Sequence, residues 1–152
     1  MSIRRSEQAL QNEEALQILD DGLYGVLAVS EGDSAYAVPL SYVHQGGNLY
    51  LHGANEGRKI NAITRHPKVC FTVFGQAVPI PEDFAMLYKS AVVFGTASVV
   101  TDSRERADAM RLICKKYSPG LEERAELSLR EIPPSLAVFK IAIEIITGKG
   151  SK

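Results

Sequence analysis

Arg58 and Lys59 are adjacent cations directly behind Gly57, at the expected start of a helix. The first turn of a helix offers unpaired N–H groups and the positive end of the dipole, which together favour an anion. Arg58 can fork onto phosphate oxygens, and Lys59 can act as a point charge. Cations at this end otherwise oppose the dipole, so either an anion binds there or the pair is simply solvated. Just upstream, Leu49-Tyr50-Leu51-His52-Gly53-Ala54 reads as a strand ending at His52, followed by small residues that let a ligand approach the backbone. His52 shares a face with Tyr50. It can be a proton donor, a cofactor contact or a metal ligand, or it can bond to backbone as strand-end histidines often do. The spacing excludes two nucleotide motifs: Gly53 to Gly57 is one residue too short for a Walker A loop, and no G-x-G-x-x-G follows a strand.

A second unusual stretch is Ala37-Val38-Pro39-Leu40-Ser41-Tyr42. Pro39 cannot donate to a ladder, so it belongs at an edge or a bulge. The backbone groups of Val38, Leu40 and Ser41 beside it can lack a strand partner and would suit a flat heterocycle; an edge strand protected by its proline is the plainer explanation. His44 falls in a turn and His66 at a helix C-terminus, so the three histidines form no metal set. No Ser-His-Asp or Cys-His arrangement can be argued. Cys70 and Cys114 lie far apart, match no zinc spacing, and read as reduced core thiols.

The elements that must hold these residues follow from periodicity and turn chemistry. Ala15, Leu16 and Leu19 predict a helix over about Asn12–Asp20, capped by Asn12 and ended by Gly22. Strands are expected at Tyr24–Ser30, Ala35–Val43 and Leu49–His52, joined by turns at Glu31–Ser34 and Gln45–Asn48, as an antiparallel meander. A short helix over Arg58–His66, with Ile60 and Ile63 inward, stops at Pro67. Val69–Phe74 is a strand. Gly75–Asp83, with Pro79 and Pro81, reads as a loop. Tyr88–Val100 is a long strand with a bulge or bend at Gly95. Asp102 and Glu105 have capping-box spacing for a helix over Ser103–Tyr117, with Ala107, Met110, Ile113, Cys114 and Tyr117 as its apolar stripe. A charged helix over Leu121–Leu129, a strand over Leu136–Ile146 and a polar tail over Thr147–Lys152 complete the chain. Six or so antiparallel strands would close into a barrel; an open α+β sandwich is the alternative.

Bulk properties narrow the function classes. A chain of 152 residues suits one domain, and 45% apolar with 23% charged residues is ordinary for a globular protein. The net charge of −1, with scattered basic residues, gives no footprint for nucleic acid or a membrane surface. No apolar run is long enough to span a bilayer. Arg4 and Arg5 are followed by Gln11-Asn12-Glu13-Glu14 rather than an apolar segment, so no secretory signal is expected and the cytoplasm is the default compartment.

The residues also carry a resemblance. In order come an N-terminal helix, Gly22-Leu23-Tyr24-Gly25-Val26-Leu27-Ala28, Tyr36-Ala37-Val38-Pro39-Leu40-Ser41-Tyr42, Leu49-Tyr50-Leu51-His52-Gly53-Ala54 and Gly57-Arg58-Lys59. Pro67-Lys68-Val69-Cys70-Phe71-Thr72-Val73 and Ser90-Ala91-Val92-Val93-Phe94-Gly95-Thr96-Ala97 follow. From about Arg4 to Lys149 this resembles the pyridoxamine 5′-phosphate oxidase-like FMN-binding split-barrel superfamily, and within it the 5-nitroimidazole resistance (Nim-type) branch. The resemblance implies a mainly β fold with helices, a six-stranded antiparallel split barrel in one domain over 1–152. It implies a homodimer with two FMN sites at the subunit interface. Val38, Pro39, Leu40 and Ser41 would lie along the isoalloxazine, His52, Gly53 and Ala54 would flank it, and Arg58 and Lys59 would hold the phosphate. Phe71, Thr72 and Lys149 would come near the cofactor, and Tyr88 to Phe94 would contribute from the partner subunit. His52 would be the active-site histidine. The implied function is an FMN-dependent oxidoreductase passing electrons to a small acceptor such as a nitroimidazole or other nitroaromatic; the alternative is a non-catalytic flavin or haem carrier or sensor. Some members use deazaflavin. The vitamin-substrate residues of a true pyridoxamine phosphate oxidase are not seen, and the loop Gln76–Met86 would border the pocket.

Overall fold

The computed structural model describes residues 3–151. Its elements run β1 (Ala9–Leu10), α1 (Asn12–Asp21), β2 (Gly25–Ser30), β3 (Ala35–Leu40), β4 (Val43–Gln45), β5 (Asn48–Ala54) and α2 (Arg58–Arg65). Then come β6 (Lys68–Ile80), β7 (Ala85–Val99), α3 (Ser103–Tyr117), α4 (Glu122–Leu129) and β8 (Leu136–Gly150). Six strands of six residues or more, plus two short ones, form one antiparallel sheet in the order β3-β2-β6-β7-β8-β5-β4, with β1 beside β8. The sheet curls around a core of Leu27, Val29, Leu49, Leu51, Phe71, Val73, Val93, Phe139 and Ile141. Helices α1 and α2 contribute Ala15, Ile18, Leu19, Ile60 and Ile63 to the same core. This is the split barrel that the sequence resemblance implies. A second, smaller core lies between α3 and the outer face of β4, β5 and β8, built on Tyr50, Val100, Ala109, Ile113 and Val138. No helix among the described residues is long and apolar enough to cross a membrane.

Several expectations hold. Asp102 accepts from the Glu105 N–H at 2.8 Å and caps α3. The β7–β8 register shifts between Phe94 and Gly95, where the bulge was expected. Others are corrected. The α1 cap is Gln11, whose N–H donates to the Glu14 carboxylate at 3.3 Å, not Asn12. Along α3, Met110, Ile113 and Tyr117 of the expected stripe lie on the second core, but the fully buried alanine is Ala109, and Ala107 and Cys114 are not part of that core. The segment Gly75–Asp83 is not a loop. Strand β6 runs through Pro79 to Ile80 and pairs with β7 in a projecting two-stranded ribbon. There Pro79 lies opposite Met86 in an exposed ribbon with free outer edges, the setting in which a missing N–H is tolerated. The expected polar tail is also strand: β8 continues to Gly150, pairing with β7 and β1, because a chain with partners on both sides satisfies its backbone without apolar side chains. Lys152 lies outside the described residues.

The main correction concerns Ala35–Val43. It is not one strand of a three-strand meander. Strand β3 pairs only with β2, whereas β4 pairs with β5, at opposite edges of the sheet. The chain changes edge at Ser41-Tyr42, where Tyr42 is wholly buried. Its hydroxyl donates to the Leu19 carbonyl at 2.5 Å, and its ring meets Phe71 edge-on at 5.1 Å. Its N–H donates to the Tyr117 hydroxyl at 2.9 Å, and Lys116 Nζ donates to its carbonyl at 3.1 Å. The same ammonium sits 4.0 Å from the centre of the Tyr42 ring. Burial pushes the phenol pKa far up, so Tyr42 stays a neutral donor. The Tyr42→Phe variant should lose about 1–3 kcal/mol of stability, the cost of leaving the buried Leu19 carbonyl unpaired. Urea unfolding should show a lower midpoint with an unchanged slope.

Candidate functional site

The crossing opens a split in the barrel. The β4–β5 ladder stops at Val43 opposite Tyr50. Continued backwards, it would set Ser41 opposite His52 and Leu40 opposite Gly53. Instead Leu40 pairs with Gly25 on β2, and His52 and Gly53 pair only with Val138 and Ala137 on β8. The outer edges of Val38–Leu40 and of His52–Ala54 therefore carry no strand. Two diverging edges leave backbone donors and acceptors free for a flat, polar-rimmed ring, which is the role the sequence suggested for Pro39 and its neighbours.

Helix α2 begins at the β5 side of this split. Gly57 has φ 112° and ψ −173°, a conformation essentially reserved for glycine. No side chain caps the helix, and its first helical bond runs from the Asn61 N–H to the Gly57 carbonyl at 3.0 Å. The N–H groups of Arg58, Lys59 and Ile60 thus have no helical acceptor. Lys59 folds back over the end of β5: a Cβ on Gly53 would stand 2.9 Å from its Cε and 3.0 Å from its Nζ. Among the described residues no carboxylate pairs with Lys59. Arg58 behaves differently. Its Nε and Nη2 donate to Glu31 at 2.7 and 2.6 Å, and its guanidinium lies 4.3 Å from the Tyr36 ring centre. An internal anion already answers Arg58, so among the described residues Lys59 is left opposing the helix dipole without a counter-charge. The pairing holds the Glu31 carboxyl below the usual carboxylate range.

His52 lies on the opposite face of β5 from Lys59, the face it shares with Tyr50 and with Val138 across the ladder. Its Nδ1 is buried and has no hydrogen-bond partner. Burial lowers its pKa, so the imidazole is neutral at pH 7. A buried polar atom without a partner is costly, and a ligand group that bonds to it would remove the cost. A ligand lying along the free edge of β5 would meet His52 from one face and Lys59 from the other. These residues therefore fit a ligand that carries both a polar heterocycle and an anion.

The remaining candidates separate by face. Ser41 and Ala54 are exposed at the split. Pro39 and Thr72 point outward in one cross-strand row, Pro39–Val26–Thr72–Val92–Thr147. Val38 and Leu40 turn inward against the core, so they offer backbone rather than side chain to the split. Phe71 is corrected: its ring is fully buried against Tyr42 and cannot touch a surface-bound group. Lys149 is on β8, four strands from β3 through the ladder, beside Ser90 and 5.7 Å from the Tyr88 ring centre. Within one copy it is not brought to the other candidates. Residues that sequence reasoning missed are Glu31, taken for turn chemistry, and Tyr36, whose alternation with Val38 and Leu40 on the inner face of β3 was legible but whose contact with Arg58 was not.

Cavity size does not locate the site. A hollow of about 590 Å³ between α3 and the β4–β5 hairpin, lined by Gln45, Tyr50 and Asp108, holds none of the candidate residues. The hollow beside Arg58 and Glu31 is about 250 Å³. The free edges and unmatched charge mark the site better than volume does.

The fold and residue order can be set against known proteins. No curated protein matches the sequence. Among solved structures, a candidate 5-nitroimidazole antibiotic resistance protein of Bacteroides thetaiotaomicron is similar at TM-score 0.79 and 21% identity, over 93% of this chain and 85% of that one. The flavocytochrome Anf3 of Azotobacter vinelandii is similar at TM-score 0.81 and 22% identity, over 99% of this chain and 72% of that one. A candidate pyridoxamine 5′-phosphate oxidase of Listeria innocua is similar at TM-score 0.64 and 27% identity, over 88% of this chain and 94% of that one. The first two likenesses are of fold alone. The family model described as pyridoxamine 5′-phosphate oxidase matches residues 11–150, from the start of α1 to the end of β8, so the chain belongs to that family.

Proposed function

We propose that this chain binds FMN along the split between β3 and β5, at the interface of a homodimer, and serves as a flavin-dependent oxidoreductase for a small acceptor such as a nitroaromatic. The observation that carries the reading is the open ladder between Leu40-Ser41 and His52-Gly53, which ends at the ammonium of Lys59, without a carboxylate partner among the described residues. Backbone groups of Val38 to Ser41 would bond the ring, Gly53 and Ala54 would let it approach, and Lys59, Arg58 and the free N–H groups behind Gly57 would take the phosphate. When bound, the flavin supplies the electron transfer between donor and acceptor. His52, neutral and with a free Nδ1, is suited to hold or pass a proton at the ring edge. Dimerisation is supported by the outer face of β3, β2, β6, β7 and β8. There the row Ala37–Ala28–Cys70–Phe94–Ile145 is apolar and, among the described residues, covered by no element. A second copy laid on it would bring Lys149 and the outward residues of Tyr88–Phe94 near the partner's split. Solved neighbours described as a flavocytochrome, as a FAD-binding protein of Mesorhizobium loti and as a FAD- and haem-binding protein of Mycobacterium smegmatis support flavin and keep a carrier role as the second reading. Oxidation of reduced nicotinamide above the rate of free FMN, with a nitroaromatic acceptor, separates an enzyme from a carrier.

Replacing both Arg58 and Lys59 by alanine should weaken FMN binding about a hundredfold or more, since charge-assisted hydrogen bonds contribute about 1.5–3 kcal/mol each. Flavin fluorescence titration reads this, and unchanged affinity would remove the phosphate site. The lowered pKa of His52 also has a sign. The unfolded chain binds this proton more readily than the folded one, so stability contributed by neutral His52 is present above the ordinary histidine pKa of about 6.5 and falls as pH drops below it. Urea midpoints measured between pH 8 and pH 5, conditions set on either side of that value, should fall more steeply for the wild type than for His52→Asn. Equal pH dependence would show that His52 is not desolvated.

A further inference from the structure

Arg58 is the first residue of α2, and its side chain is more than half exposed although it is fully paired on one edge. The pairing is side-on. Nε and one Nη2 hydrogen go to the two oxygens of Glu31, at 2.7 and 2.6 Å. A guanidinium has five N–H donors, so one hydrogen of Nη1 and the second of Nη2 are left along its end-on edge, with the other Nη1 hydrogen beside Cδ. Tyr36 closes one face of the same group at 4.3 Å. Both partners sit on a stiff frame. The Glu31 N–H donates to the Ser34 carbonyl at 2.9 Å across the β2–β3 turn, and Tyr36, five residues on, packs against the barrel core. An exposed ion pair of this kind adds little to stability. What it does is remove the rotamer freedom that a long arginine must otherwise give up when it grips an anion.

We propose that Glu31 and Tyr36 are positioning residues for the phosphate-binding arginine: they hold Arg58 with its end-on edge open to the flavin phosphate, beside Lys59. The inference rests on the FMN reading above and goes beyond it, because neither residue would touch the cofactor. A competing role for Glu31 is that of an internal counter-ion which the phosphate must displace. The observed contact takes the side-on edge and leaves the end-on edge free, so an anion can be bound without displacing it. Tyr36 meets the guanidinium through its ring face, and Tyr36→Phe separates that contact from any action of the hydroxyl.

FMN and riboflavin differ only in the phosphate, which gives a readout that general loss of structure would not move. The full-length protein is titrated with each in phosphate-free buffer, and the ratio of the riboflavin Kd to the FMN Kd measures phosphate recognition. The wild type should favour FMN strongly. Tyr36→Leu and Glu31→Gln should each lower the ratio three- to tenfold with riboflavin affinity unchanged. Tyr36→Phe, which keeps the ring, should keep the ratio. Neither loss should appear on top of Arg58→Ala. An unchanged ratio in Tyr36→Leu and Glu31→Gln, with the ratio lost in Arg58→Ala, would overturn the positioning role and leave the phosphate site standing. A ratio raised by Glu31→Gln would also overturn it, since Glu31 would then be a competitor. Equal binding of FMN and riboflavin by the wild type would overturn the positioning role together with the phosphate site.

Discussion

The hydroxyl of Tyr42, buried and donating to the Leu19 carbonyl, fixes the point at which the chain leaves one edge of the sheet for the other. Everything that matters for the site follows from that point. If the chain ran straight on, β3 and β4 would form one strand, β5 would pair along all of it, and the barrel would close without an opening. Because Tyr42 turns inward onto Phe71 and α1, β3 is held on β2 and β4 on β5, and the edges between them stay apart. Lys116 and Tyr117 reach in from the end of α3 to satisfy the backbone of Tyr42, so a helix outside the barrel helps to hold the split open. The opening is built from buried hydrogen bonds and aromatic packing, while the groups that line it are exposed or half-exposed.

The second constraint is electrostatic. A helix start with no acidic cap and two cations is unfavourable unless negative charge is supplied. The protein supplies half of it internally. Glu31 answers Arg58, and Lys59 is left over Gly53 with the free N–H groups of the first turn. His52 adds a buried nitrogen without a partner on the other face of the same strand end. Each of these is costly for folding alone, and all three converge on one strand end. Local departures from optimal stability that cluster in this way are the usual mark of a binding site.

Much of this was legible in the sequence, and for stated reasons. The residues Gly57-Arg58-Lys59 and Pro39 break ordinary rules of charge and pairing, so they stood out without any contact information. Helices α2 and α3 were readable from caps, periodicity and Pro67. What could not be read were consequences of long-range pairing. The break at Ser41-Tyr42 has no glycine or turn pair to announce it; it exists because Tyr42 finds Leu19, Phe71 and Tyr117. The β6–β7 ribbon was hidden by Pro79 and Pro81, whose local signal is a loop; Pro79 is tolerated on an exposed strand edge, and Pro81 opens the short 3-10 turn at the ribbon's tip. Phe71 was assigned to the site by resemblance, yet strand alternation puts it in the core while Thr72 faces out. Glu31 looked like turn chemistry because its partner is on another element, 27 residues away.

The central claim is that the open ladder beside Lys59 is a flavin site. An absorbance spectrum of the native protein, taken before and after loading with FMN and again after gel filtration, tests it most directly. The account predicts the bands of oxidised flavin travelling with the protein peak at a position expected for a dimer. A protein that emerges colourless after loading would contradict it.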